Sequence, residues 1–235
     1  WYISRLFAIN SVTGKITKIF WDSAGQDAAD VIWMPSDGSN KILLAAQNSI
    51  YVNYEEFWPS VYSVDVTNGK RKTLVKGRQN TMSWIADSTG HIRAGISYDD
   101  VNRTYAMLYR GEHETGSFRT VVRANSRKRE VLITPFLFEP GAERALVMHD
   151  DDAGRNAIYE QDLTTLKDIR LVYSAPQGEV DDVILSEDGK ILLAATTTGD
   201  DERIHWFDPA LAELQSQFDK AVRNARVSVE SMNRD

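Results

Sequence analysis

The chain has no cysteine among its 235 residues, which excludes disulfides, thiolate chemistry and cysteine-ligated zinc. That absence does not choose between bacterial periplasm and cytoplasm. No apolar run approaches the ~18 residues that a membrane helix needs, so no membrane span is expected. Positive charge is in deficit too: 27 Lys and Arg stand against 34 Asp and Glu, for a net charge of −7. A nucleic-acid partner would require a basic face, so none is expected. Histidine is scarce, and His91, His113, His149 and His205 are scattered along the chain. There is no Gly-x-Ser-x-Gly elbow and no glycine-rich phosphate loop before a helix. No catalytic residue is therefore assigned, and no cofactor or metal is expected.

What is present is an ordinary soluble composition, 42% hydrophobic and 26% charged, laid out in a repeat. The first pattern is an apolar or aromatic pair, a polar turn and a second apolar run. It appears at Leu6 to Phe20, Val61 to Val75 and Ile158 to Tyr173, and more loosely at Met107 to Val122 and Ile204 to Phe218. The residues just before the turn, Asn10, Asp65, Glu112, Asp162 and Asp208, are 55, 47, 50 and 46 positions apart. A second pattern lies between those copies, and its turn glycines, Gly38, Gly90, Gly141 and Gly189, are 52, 51 and 48 apart. Two interleaved patterns with one period define a unit of four short strands: an inner hairpin, then an outer one.

A four-stranded unit repeated about every 50 residues is the signature of a propeller blade. The expected fold is all-β: a propeller of about four to five four-stranded blades, complete or part of a larger ring, over residues 1–235. The chain opens with an outer hairpin (Ile3 to Phe20) and closes with ARVSVESMNRD, which reads as the first strand of a further blade. Trp1 stands where a Met would begin a chain, so the chain reads as a fragment. One segment breaks the β pattern. Pro209 to Val222 has Leu211, Leu214, Phe218, Ala221 and Val222 at helical spacing, with Asp208 as N-cap, and is expected to replace a final strand by a short C-terminal helix.

Two features invite a chemical reading. Acidic loops recur at Tyr98 to Arg103, His149 to Asn156 and Gly199 to Ile204, each with an arginine close behind. Their recurrence points to turn capping and Asp–Arg pairing, and places three acidic loops on one face of the disc. The second is YVNYEEFWPS, Tyr51 to Ser60, between the inner and outer hairpins of the first full blade. Glu55 and Glu56 lie there among Tyr51, Tyr54, Phe57 and Trp58, a set able to hold a cationic amine beside aromatic faces. Tyr54, Glu55 and Glu56 are the candidate substrate-binding residues.

VYSVDVTNGKRKTLV, WIADSTGHIRAGISYD and HWFDPALAELQSQFDKAV resemble the N-terminal propeller of bacterial prolyl oligopeptidase-family serine peptidases, which include the dipeptidyl and acylaminoacyl peptidases. The resemblance implies a catalytic α/β-hydrolase domain beyond Asp235 as the partner of this one. It implies a non-catalytic propeller that gates and positions short peptide substrates. It also implies that Tyr54, Glu55 and Glu56 match the Tyr-Glu-Glu segment that holds a peptide's amino end in the dipeptidyl peptidases. The rival expectation is a stand-alone interaction propeller of the periplasmic TolB type.

Overall fold

The computed structural model describes residues 3–198, 203–222 and 227. A two-stranded hairpin, β1 (Leu6–Ile9) and β2 (Ile16–Ile19), comes first. Blade I follows as a meander of β3 (Asp30–Trp33), β4 (Lys41–Ala46), β5 (Ser60–Asp65) and β6 (Arg71–Val75). Blade II holds β7 (Thr81–Ala86), β8 (Ile92–Asp99), β9 (Thr104–Tyr109) and β10 (Arg119–Asn125). Blade III holds β11 (Pro135–Phe138), β12 (Arg144–Asp150), β13 (Asn156–Asp162) and β14 (Lys167–Tyr173). Among the described residues blade IV has three strands, β15 (Glu179–Leu185), β16 (Leu192–Thr198) and β17 (Arg203–Trp206), and then helix α1 (Pro209–Ala221). The protein is an all-β propeller, whose described residues form four blades, a leading outer hairpin and one short C-terminal helix. The third predicted acidic loop, Gly199 to Ile204, and the predicted closing strand at ARVSVESMNRD lie outside the described residues, Arg203, Ile204 and Val227 excepted.

The sheets stack through their faces. On β4, Ile42, Leu44 and Ala46 join a buried cluster with Ile19 and Phe20 of the hairpin. Leu43 and Ala45 turn the other way and pack with Trp84, Ile92 and Leu108 of blade II. Successive residues of a strand point to opposite faces, so a strand covered on both sides must be apolar throughout. The same division recurs in blade III: Phe138 and Ala145 face blade II, while Leu137 and Leu146 face blade IV. Each fully buried leucine or isoleucine contributes roughly 2 kcal/mol of transfer free energy. Among the described residues no strand pairing joins the first hairpin to blade IV.

The periodic markers have a physical role. Asn10 Oδ1 accepts the backbone N–H groups of Val12 and Thr13. Asp65 Oδ1 accepts from Thr67 N–H, and Asp162 Oδ1 from Thr164 and Thr165 N–H. Asp208 Oδ1 takes Ala210 and Leu211 N–H and so caps α1. A short side-chain acceptor two or three residues before a free N–H closes a tight turn or starts a helix equally well. The inner-hairpin glycines all take the positive φ that their turns require, from 66° at Gly189 to 84° at Gly90.

Glu112 departs from this rule, in the loosest of the repeats. Its carboxylate reaches into the next blade and accepts Gly141 N–H at 2.7 Å. Beside it Arg93 is 1% exposed. The guanidinium of Arg93 lies 3.4 Å from Asp87, 3.6 Å from Glu112 and 3.4 Å from Glu143, and donates to the Tyr109 hydroxyl at 2.8 Å. Tyr109 in turn donates to Glu143. Burial first, and the bond to Glu143 second, push its phenol above the ordinary tyrosine range. A buried cation needs such partners, and removing it strands the carboxylates that it served. Arg93→Met keeps much of the volume but leaves Asp87 buried without its cation, and is expected to destabilise by about 3 kcal/mol. Thermal unfolding at neutral pH checks this, and an unchanged Tm contradicts it.

The turn carboxylates make a second prediction. Thr164 Oγ first, then the N–H groups of Thr165 and Thr164, hold the Asp162 carboxyl down at about 2 from its ordinary 3.8. A carboxylate depressed in the folded state stabilises above its unfolded value and loses that contribution as pH falls through its folded value. Asp162→Ala should lower Tm at pH 7 and make the fall of Tm between about pH 4 and 2 shallower. Asp162→Asn should keep most of the neutral Tm, because Asn10 closes its own turn without charge, yet show the same shallow acid limb. Tm measured from pH 7 to 2 reads both.

Candidate functional site

The connection from β4 to β5 is the longest strand-2-to-strand-3 link among the described blades, and tertiary contacts fix it. Asn48 and Ser49 N–H both donate to Glu56 C=O. Glu55–Phe57 forms a single 3-10 turn that ends where Trp58 N–H donates to Glu55 C=O. From blade II the Trp84 indole N–H donates to Pro59 C=O at 2.7 Å. Gly77 N–H donates to Ser60 Oγ at 2.7 Å. Two glycines let backbones approach where any side chain would collide. A Cβ on Gly77 would stand 2.2 Å from Trp58 C=O, and one on Gly25 would stand 2.4 Å from Gln47 C=O.

These contacts shape a cavity of about 230 Å³ at the seam between blades I and II. Its wall includes Asp27, Asp30, Gln47, Phe57, Trp58 and Met82. Phe57 and Trp58 meet edge to face, with ring centroids 5.0 Å apart. Asp30 opens β3, and Asp27 is tied to Gln47 by Gln47 N–H donating to Asp27 C=O at 2.8 Å. Burial first, and the neighbouring Asp27 charge second, raise the Asp30 carboxyl above its ordinary 3.8. Asp30 keeps much of its surface in solvent, so the shift reports local field rather than stored stability. A cation seated between the two carboxylates would relieve their repulsion and face the aromatic rings. The volume falls below the roughly 300–1,000 Å³ of drug-sized sites, and suits one small charged group.

The sequence-predicted residues Tyr54, Glu55 and Glu56 directly precede the wall residues Phe57 and Trp58 in the chain. Tyr54, Glu55 and Glu56 are exposed, and Tyr54 meets Tyr51 edge-on at 5.9 Å. Among the described residues no hydrogen bond or ion pair holds the side chain of Glu55 or Glu56. The structure brings Phe57 and Trp58 of the same segment into the wall, and leaves Tyr54, Glu55 and Glu56 outside it. Asp27 and Asp30 carry no motif in the sequence: Asp27 precedes the first inner strand and Asp30 opens it.

The acidic loops behave as turn caps. Asp99 accepts Val101 and Asn102 N–H, while Asp100 pairs with Arg103 at 2.8 Å. Asp151 accepts Ala153 and Arg155 N–H and pairs with the Arg155 guanidinium at 3.1 Å. Both loops join strand 2 to strand 3, as the Tyr54–Trp58 segment does in blade I, so all lie at one end of the stacked sheets. Among the described residues no three His, Asp or Glu side chains are grouped to hold a metal ion, and no serine is hydrogen-bonded to a histidine. No helix among them is long and apolar enough to cross a membrane.

Gly77→Ala is expected to push the Trp58 backbone out of the cavity wall. A lowered Tm together with changed tryptophan emission would show that displacement, and wild-type values for both would refute the close approach.

No protein-family model matches the chain, and no curated protein matches it. Among solved structures it is similar to the crystal structure of a proposed 6-phosphogluconolactonase from Bacteroides fragilis, with a TM-score of 0.37 and 13% identity. The alignment covers 88% of this chain, and the chain spans 61% of the length of that one. So slight a likeness carries no inference about activity, and the propeller assignment stands on the stacked sheets themselves.

Proposed function

We propose that this propeller is a non-catalytic binding domain that holds the cationic amino end of a short peptide at the seam of blades I and II. The observation that carries the reading is the cavity itself, where Asp27 and Asp30 converge beside Phe57 and Trp58. Glu55 and Glu56, next in the chain to the wall residues Phe57 and Trp58, would add negative charge near the approach, with the Tyr54 ring beside them. Charge-assisted hydrogen bonds of this kind contribute about 1.5–3 kcal/mol each. Anchoring one end of a peptide fixes which of its bonds is presented elsewhere, a positional effect that serves a separate catalytic domain.

The finer reading is that the parent protein is a serine peptidase of the prolyl oligopeptidase type, with this propeller as its substrate filter. The resemblance in the blade phrases supports it, and so does an anionic anchor of the right chemistry. Its test is the coding sequence beyond Asp235. A Gly-x-Ser-x-Gly elbow between a strand and a helix is expected there, and a stop codon soon after Asp235 would overturn it in favour of a stand-alone binding propeller.

The binding reading is tested separately, by calorimetric titration of the chain with a dipeptide amide that has a free amino end and with its N-acetylated form. The free amine is expected to bind at least about tenfold more tightly, a difference of 1.4 kcal/mol. Asp27→Asn combined with Asp30→Asn should abolish the difference, and Glu55→Gln with Glu56→Gln should reduce it. Equal binding of the two peptides to the wild-type chain would defeat the proposal.

A further inference from the structure

The position of the first cavity within its blade is repeated elsewhere in the array. A second cavity, of about 600 Å³, lies at the seam of blades III and IV. Like the first, it is walled by the approach to strand 1, the end of strand 2 and the start of strand 3 of one blade, and by the start of strand 1 of the next. Its chemistry differs. The aromatic wall is replaced by aliphatic groups, Val131, Ile133, Met148 and Val180. Three carboxylates, Asp150, Glu179 and Asp181, stand among them. Among the described residues none of those three carboxylates has a side-chain hydrogen bond or an ion pair.

One basic group also lines this cavity, and it is already engaged. The His149 ring stacks on Tyr159 at 4.2 Å with 6° between planes. Its Nδ1 lies 2.9 Å from Asp150 C=O and its Nε2 lies 3.1 Å from Asp168. Asp168 is itself held by the Gln161 amide at 3.1 Å. Any charge on His149 is thus matched by Asp168, outside the cavity wall, and the three free carboxylates are left in surplus. Asn156, the remaining polar group of the wall, donates its side-chain N–H to Val180 C=O.

We propose that this second cavity is a separate subsite that takes a lysine- or arginine-type side chain. An aliphatic stem with a cationic head matches apolar walls that end in carboxylates, because such side chains bury their methylenes and keep the charge at the polar rim. The amino-end cavity offers aromatic faces and less room, so the two sites take different parts of a ligand. The subsite stands on its own walls and does not require that the amino-end reading be right.

The test uses two blocked probes, Nα-acetyl-lysinamide and Nα-acetyl-norleucinamide, which keeps the four-carbon stem but lacks the ammonium group, titrated calorimetrically into the chain. Neither has a free α-amine, so binding at the blade I/II cavity through an amino end is excluded by design. The lysine probe is expected to bind at least about tenfold more tightly than the norleucine probe. Glu179→Gln combined with Asp181→Asn should remove that preference, while Asp27→Asn with Asp30→Asn should leave it intact. Glu179 is exposed, as is Asp181, so the fold should survive, and an unchanged Tm verifies it. Val131, 81% exposed at the rim, supplies an independent variant. Val131→Arg places a tethered guanidinium beside the carboxylates and should block the probe. Equal binding of the two probes, no binding, or loss through the Asp27 and Asp30 changes instead would each overturn the subsite.

Discussion

Everything in this molecule depends on strands that are buried on both faces. β4 divides its side chains between the hairpin and blade II, and β12 sits between blades II and IV in the same way. No blade has a core of its own. Each apolar face is satisfied only by its neighbour, which is why the unit repeats and why small residues such as Ala45, Ala94, Ala145 and Ala195 recur on the second strand of the blades. The seams, rather than the sheets, are where apolar burial accumulates. Both cavities open at seams, at one end of the stack, where loops must bridge the gap left between twisted sheets.

Much of the fold was legible because turn chemistry leaves a strong local mark. An Asn or Asp two or three residues before an unpaired N–H declares a turn with little help from the rest of the chain, and Asn10, Asp65 and Asp162 do so at one or two steps of a repeat of about fifty residues. Asp208 performs the same capping, and only the following Pro209 and the helical spacing behind it distinguish a helix start from another hairpin. The looser copy at Glu112 was readable as a position but not as a role. Its longer side chain looks past its own turn, and nothing local records that Gly141 waits in the next blade.

The site was legible in part. The Tyr54–Trp58 segment stood out as a cluster of aromatic and acidic residues, and its last two residues do form a cavity wall. Asp27 and Asp30 carried no signal. They lie at an irregular entry into β3, and their meaning arises only when Gln47, Trp58 and Met82 fold around them. Close approach is also silent in sequence: Gly25 and Gly77 are required by carbonyl groups 22 and 19 positions away, at Gln47 and Trp58. Cavities at seams are made by contacts between repeats, and the period of a repeat describes what its copies share rather than what lies between them.

The exception at Glu112 has a mechanical meaning. In a linear array of units, the coupling between neighbours sets how far a local opening spreads. Blades II and III share a buried charged cluster around Arg93 as well as apolar contact, so neither can open without exposing carboxylates and a guanidinium held by the other. They form one cooperative body within the array. This looser copy is thus not a decaying repeat, but one that has given up its independence to its neighbour.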